Sequence, residues 1–205
     1  MSDDSFFVPA RDELLLDMEE YASRNHIPIV KPEVGKFLSV LISASSPAKI
    51  LEIGTAIGYS TIWMARVAGK DTEIVTIEID EEMYHQAGEN FRKAGIEKKI
   101  NQKLGDALEI LPYLRRKFDF VFIDAAKGQY LNYLEMIMEL TNSGSIIIAD
   151  NILFHGYLEK EGNIKRTKRT IVRNLQEYID TVTDHELLNS TIISTGDGLA
   201  ISVKK

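Results

Sequence analysis

The chain has 205 residues, 44% hydrophobic and 27% charged, which suits one domain over 1–205 with a substantial core. It has no cysteine and a formal net charge of −7, so disulfides and thiolate metal sites are excluded and general nucleic-acid affinity is disfavoured, though a local basic patch is not. Asp3 and Asp4 stand where a cationic leader would begin, and the longest apolar stretches, 120–123 and 146–149, are strand-sized; no membrane span is expected, and a cytoplasmic location is. In chain order, helices are predicted first over 11–25 and 32–44, separated by Pro28 and Pro32, as a helical cap within 1–46. A strand over 49–53 ends in a turn at Gly54, and a helix over 60–68 follows. The next strand is 73–78, with Asp80 placed to cap a helix that begins at Glu81. A third strand over 100–104 precedes a short helix over 107–114. The fourth, 118–124, is nearly all apolar, as a strand covered on both faces should be. A helix over 129–140 and a fifth strand over 145–150 complete the alternation. A long helix over 166–180 then precedes strands over 185–194 and 198–203, joined at Gly196-Asp197-Gly198 as an antiparallel hairpin at the sheet edge.

This alternation predicts an α/β fold: a Rossmann-like, doubly wound, seven-stranded sheet, mainly parallel, with helices on both faces. Right-handed crossovers put the ends of the first, second and fourth strands on one rim.

Three successive strand ends carry residues suited to a nucleoside-containing cofactor. Gly54 and Gly58 let the backbone turn sharply and approach a ligand. Their GxxxG spacing lacks the GxGxxG cradle for a dinucleotide pyrophosphate. Glu52 beside the turn suits the sulfonium and ammonium of S-adenosylmethionine better than a pyrophosphate. Glu78 can accept from ribose hydroxyls, which serves a nicotinamide dinucleotide equally well, and Asp106 can hold an adenine edge. Each feature also occurs without a cofactor; together they favour a nucleoside ligand, and the missing pyrophosphate loop favours S-adenosylmethionine.

Asp124 ends the fourth strand, and Asp150-Asn151 ends the fifth beside it. Two carboxylates and an amide suit a hard cation, Mg²⁺, Mn²⁺ or Ca²⁺, rather than Zn²⁺, and leave positions for a bidentate substrate. Such a cation would orient and acidify a bound hydroxyl. Lys127, one turn beyond Asp124, could act as general base near it. The competing reading is an Asx turn at Asp150 and a solvated lysine.

The segments 52–61, 76–80, 105–107, 122–130 and 149–153 together resemble the motif series of the metal-dependent O-methyltransferases, the family of catechol and caffeoyl-CoA O-methyltransferases. The resemblance runs from the Val30 region to the final hairpin. It implies cofactor contacts at Val30, Glu52, Gly54, Ser60, Glu78, Asp106, Ala107 and Asp124, and metal ligation by Asp124, Asp150 and Asn151. It also implies a catalytic role for Lys127 beside Asp124, and a homodimer.

Between 159 and 173 stand six basic residues (Lys160, Lys165, Arg166, Lys168, Arg169, Arg173) against two acidic ones. Following the metal motif directly, this segment should border the substrate opening. Cations at a helix start oppose its dipole, so phosphate contact is the functional reading and a solvated basic helix start the other. The segment makes the chain similar to the bacterial tRNA 5-hydroxyuridine methyltransferases. That implies a tRNA anticodon loop as partner, contacts at Lys165, Arg166, Lys168, Arg169 and Arg173, and a wobble base held near Phe154, His155 or Tyr157. A small catechol or phenol, or a hydroxycinnamoyl-CoA-type ester, is the alternative acceptor. A nicotinamide-dependent oxidoreductase would leave Asp150-Asn151 idle, and a binding module without turnover would leave Lys127 so.

Overall fold

The computed structural model describes residues 10–154 and 169–205. Their seven strands are β1 (Lys49–Ile53), β2 (Glu73–Glu78), β3 (Ile100–Leu104), β4 (Phe118–Ile123), β5 (Thr141–Ala149), β6 (Leu188–Ile193) and β7 (Leu199–Lys204). They form one sheet in the order β3-β2-β1-β4-β5-β7-β6. The first five pair in parallel, and β7 runs antiparallel to both β5 and β6. The predicted fold class therefore holds.

Alternation along β4 shows why the sheet must be covered twice. Phe120 and Phe122 enter one core while Val121 and Ile123 enter the other. The first face carries α1 (Glu13–Asn25), α2 (Pro32–Ser45), α3 (Tyr59–Val67) and α4 (Glu81–Lys93), through Leu15, Leu38, Ile62 and Phe91. The second carries α5 (Ala107–Ile110), α6 (Tyr130–Glu139) and α7 (Arg169–Asp184), through Ala107, Leu134 and Leu175. Truncating one of the fully buried phenylalanines to alanine would cost about 3–5 kcal/mol. The one exposed residue of β4, Asp119, accepts from the Ala48 and Lys49 amides at 2.9 Å and fixes the start of β1.

Local chemistry sets most helix ends. Asp12 and Asp80 cap α1 and α4, accepting from Leu15 N–H at 3.1 Å and Met83 N–H at 3.0 Å. Pro32 opens α2 at the position where a missing N–H costs nothing. Pro112 breaks the predicted 107–114 helix into α5 and a 3₁₀ turn, Leu111–Tyr113. The fifth strand begins at Thr141, earlier than the turn-rich Asn142-Ser143-Gly144 suggested, because Thr141 pairs with Phe118 across a bulge. α7 runs to Asp184 rather than 180, since Val182 still faces the core. The first hairpin strand is shorter than predicted and the second is shifted by one residue, with a loop over 194–198 in place of a tight turn.

The N-terminal helices are tied to the sheet through α3. Arg66 makes a two-pronged pair with Asp12, at 3.1 and 2.5 Å, and the Tyr59 hydroxyl donates to Glu19 at 2.5 Å. α2 packs on α3 so closely that a Cβ at Gly35 would meet the Trp63 ring at 2.5 Å. Among the described residues no helix is long and apolar enough to cross a membrane.

Candidate active site

Staggered backbone bonds align the carboxyl ends of the parallel strands. Gly54 N–H donates to the Ile77 carbonyl, Asp124 N–H to Ile53, Asp150 N–H to Ile123 and Gly105 N–H to Glu78, at 2.8–3.0 Å. A cleft of about 590 Å³ opens along this rim, roofed by the 26–30 segment between α1 and α2. That volume suits a nucleoside-sized ligand. Val30, Gly54, Ser60, Glu78, Asp106, Ala107, Asp124, Lys127 and Asn151 all line it, so most of the predicted site residues are brought together.

Gly54 is dictated by contact as well as by conformation. Its φ is +96°, and a Cβ there would collide with the Asp124 carbonyl oxygen. The turn it opens is held by Glu78. One oxygen of that carboxylate accepts from the Thr55 and Ala56 amides at 3.1 and 2.7 Å, the other from the Ile79 and Asp80 amides at 2.9 Å. The expected ribose acceptor is thus already in use, and a diol would share it with four amides. Asp106 faces the cleft while capping α5 through Leu108 N–H at 2.8 Å.

Glu52 is the correction. Expected as a direct contact for a cationic cofactor, it is fully buried and does not border the cleft. As a β1 residue just before the outward turn, its side chain lies under α3. It accepts from Ser60 at 2.6 Å, Thr61 at 2.5 Å and Thr76 at 2.6 Å. Burial pushes its carboxyl up to about 7, against the pull of those three hydroxyls. Thr76 lies 2.5 Å from Thr55, so the network reaches the turn that Glu78 grips. Glu52 holds Ser60, and Ser60 faces the cleft.

At the far end of the cleft Asp124 lines the wall; Asp150, expected there too, follows the neighbouring strand end but is 1% exposed and does not itself border the cleft. Burial, and then the charge of Asp150, push the Asp124 carboxyl up to about 7; burial raises Asp150 as well. Lys127 is the cation that opposes both shifts, and its Nζ donates to Asn151 Oδ1 at 3.0 Å. Asn151 has a left-handed backbone, φ 57°, with its amide donating to Asp150 Oδ1 at 2.6 Å. This bond reaches one residue on rather than the two of the Asx turn foreseen at Asp150, and the Ile152 amide goes instead to the Gly198 carbonyl. Among the described residues no three His, Cys, Asp or Glu side chains gather as a metal set. The candidate set is two carboxylates completed by an amide, and two buried, mutually repelling carboxylates fit a hard divalent cation.

Arg169 and Arg173 are exposed on the first turns of α7, which packs on the Lys127–Gln129 turn; Asn174 donates to the Gly128 carbonyl at 3.3 Å. Lys165, Arg166, Lys168, His155 and Tyr157 lie outside the described residues. Phe154 packs against the second core. Sequence reasoning missed Tyr59, Ile79, Met83, Gln129 and Tyr133, which also line the cleft. The i, i+3 spacing of Tyr130 and Tyr133 on α6 was the one available signal, and it reads equally as core.

The O-methyltransferase family profile matches residues 9–205. A catechol O-methyltransferase of Niastella koreensis is 34% identical over 181 residues, covering 86% of this chain and 82% of that protein. A caffeoyl-CoA O-methyltransferase of Populus kitakamiensis is 28% identical, covering 94% of this chain and 87% of its own length. The O-methyltransferase of Bacillus cereus, solved in complex with S-adenosylhomocysteine, superposes with a TM-score of 0.86 at 28% identity, over 98% of this chain and 94% of that one. With the rim geometry, these matches establish that the chain belongs to the O-methyltransferase family and is an enzyme of the methyl-transferring class.

Proposed function

We propose that the protein moves the methyl group of S-adenosylmethionine onto one of two adjacent oxygens of a small catechol-like acceptor, held by a divalent cation, Mg²⁺ in the first place. The observation that carries this is the meeting of Asp124, Asn151 and Lys127 at one end of a nucleoside-sized cleft, with the buried Asp150 carboxylate accepting from the Asn151 amide. The solved B. cereus relative holds the demethylated cofactor, which supports the donor, and the N. koreensis relative is named for catechol, which supports the acceptor.

S-adenosylmethionine supplies an electrophilic methyl on a sulfonium, and a cation would supply Lewis-acid and template chemistry at the acceptor hydroxyl. Asp124, Asp150 and Asn151 are the residues that would hold the cation. Gly54 admits the cofactor to the backbone, while Ser60, Glu78, Asp106 and Ala107 offer polar and shape contacts along it. The acceptor oxygen would attack the methyl carbon, the C–S bond breaking with its electrons passing to sulfur, and Lys127 Nζ, acting in its neutral form, would take the hydroxyl proton. Holding both reactants in line is worth several orders of magnitude in rate. The same reading takes 1–205 as one catalytic domain working in the cytoplasm as a homodimer, to be tested by light scattering on the purified chain and by fractionating cells that produce it.

A second acceptor, the wobble 5-hydroxyuridine of a tRNA anticodon loop, is favoured by one observation: Arg169 and Arg173 are exposed on the helix that packs beside Lys127. Its 5-hydroxyl and 4-carbonyl form a bidentate pair as a catechol's oxygens do. Offering a catechol panel beside 5-hydroxyuridine tRNA decides between them. Catechol methylation without label in tRNA supports the first reading; label recovered as 5-methoxyuridine replaces it with the second. Charge reversal at Arg169 and Arg173 should then cut tRNA methylation more than about 10-fold and spare catechol; equal loss on both would sink the RNA contact.

A further inference from the structure

Asp150 and Asn151 flank a single peptide plane, and that plane is gripped from both of its polar ends. Its N–H, on Asn151, donates to Asp150 Oδ1 at 2.6 Å. Its carbonyl, on Asp150, accepts from the Tyr130 hydroxyl at 2.9 Å. Beyond it, Ile152 and Leu153 are tied to the hairpin loop through the Gly198 and Asp197 carbonyls at 3.1 and 3.0 Å. Tyr130 reaches this point as the first residue of α6, 1% exposed, with its ring edge-on to Tyr178 of α7 at 5.5 Å.

A phenylalanine would fill this core volume without a hydroxyl to desolvate. The hydroxyl therefore needs its bond, and the bond is made to the backbone between two candidate ligands rather than to a helix or sheet neighbour. Two further features call for such a restraint. Asn151 holds a left-handed backbone, which costs about 1 kcal/mol in a residue with a Cβ. Asp124 and Asp150 follow the paired strand-end residues Ile123 and Ala149, so two carboxylates of like charge share the junction of β4 and β5.

We propose that Tyr130 is a positioning residue for the divalent-cation site: its hydroxyl locks the Asp150–Asn151 peptide plane against the start of α6, so that Asp124, Asp150 and Asn151 present their oxygens at one spacing. This rests on the reading of those three residues as cation ligands. Tyr130 does not line the cleft. Removing its hydroxyl weakens the cation site and leaves the cofactor end of the cleft intact.

The test is Tyr130→Phe in the full chain, with Mn²⁺ affinity read from the paramagnetic resonance of the free ion in saturating S-adenosylhomocysteine. Mn²⁺ binding should weaken about 10-fold, with the S-adenosylhomocysteine affinity within two-fold of wild type. In turnover, the metal concentration for half activation should rise while the rate at saturating metal recovers. Unchanged Mn²⁺ affinity, or equal loss of both affinities, overturns the proposal. Wild-type protein that binds no Mn²⁺ overturns the ligand reading beneath it, which the variant alone would not. Should Tyr130→Phe fail to fold, wild-type protein carrying ¹³C at tyrosine Cζ gives the answer: the Tyr130 resonance shifts when Mg²⁺ is added, and an unmoved resonance overturns the coupling.

Discussion

The carbonyl oxygen of Asp124 occupies the space that a side chain on Gly54 would need. The turn that opens the cofactor end of the cleft and the strand end that carries a candidate metal ligand are therefore in direct backbone contact. Gly54→Ala must both strain a φ of +96° and push β1 from β4. It should cost more than about 3 kcal/mol in urea unfolding and weaken S-adenosylmethionine binding at least 10-fold. Gly95→Ala is the control: φ there is +67°, with nothing within 4 Å of the added carbon, so about 1 kcal/mol is expected. Equal costs at both glycines would show that the collision relaxes freely.

Glu52 makes a pH signature. Burial raises its carboxyl from 4.5 to about 7. Between those values the folded protein keeps a proton that the unfolded chain has released, so unfolding free energy falls as pH rises through that window and levels off above about 7. The loss is of order 3 kcal/mol. Glu52→Gln carries no proton to release and should remove that part of the slope. Urea melts at pH 5, 6, 7 and 8 give the difference between the two proteins, from which the titration of Asp124, common to both, largely drops out. Parallel curves would mean that Glu52 is ionised throughout.

The architecture was legible because its signals were local and redundant. The Phe118-Asp-Phe-Val-Phe-Ile123 run has the composition of a strand covered on both faces, and Asp80 has a capping residue's place before a charged first turn. Strand-end positions also followed, since parallel topology gathers carboxyl ends whatever the details; that is why Glu78, Asp106, Asp124 and Asn151 do meet. What the sequence could not carry was the direction of a side chain one residue from a turn. Glu52 precedes Gly54 by two positions, and the β alternation, not its charge, sends it beneath α3. Nor could it show that Tyr130 spends its hydroxyl on the Asp150 backbone, because an aromatic on a helix face reads as core until a partner is seen. The basic run between 159 and 173 reached only Arg169 and Arg173 among the described residues.

Asp124 and Asp150 predict a conflict between stability and activity. Without a cation the two buried carboxylates repel, with Lys127 as the cation between them. At pH 8, above the value of about 7 to which Asp124 is raised, Asp124→Asn should raise the metal-free melting temperature by about 2–4 °C, equivalent to about 1 kcal/mol. The same variant should lose metal-dependent methyl transfer, and Mg²⁺ should raise the melting temperature of the wild type alone. A variant less stable than wild type in EDTA would show that the pair is not frustrated.

The central claim, cation-dependent transfer of a sulfonium methyl to oxygen at the Asp124–Asp150–Asn151 cluster, is tested most directly by following labelled S-adenosylmethionine with a catechol acceptor while Mg²⁺ is titrated after EDTA treatment. The account predicts label in an O-methyl ether, less than about 1% of the activity in EDTA, full recovery with Mg²⁺, and no recovery in Asp150→Ala. Methyl transfer to catechol that is indifferent to EDTA and survives in Asp150→Ala would contradict it.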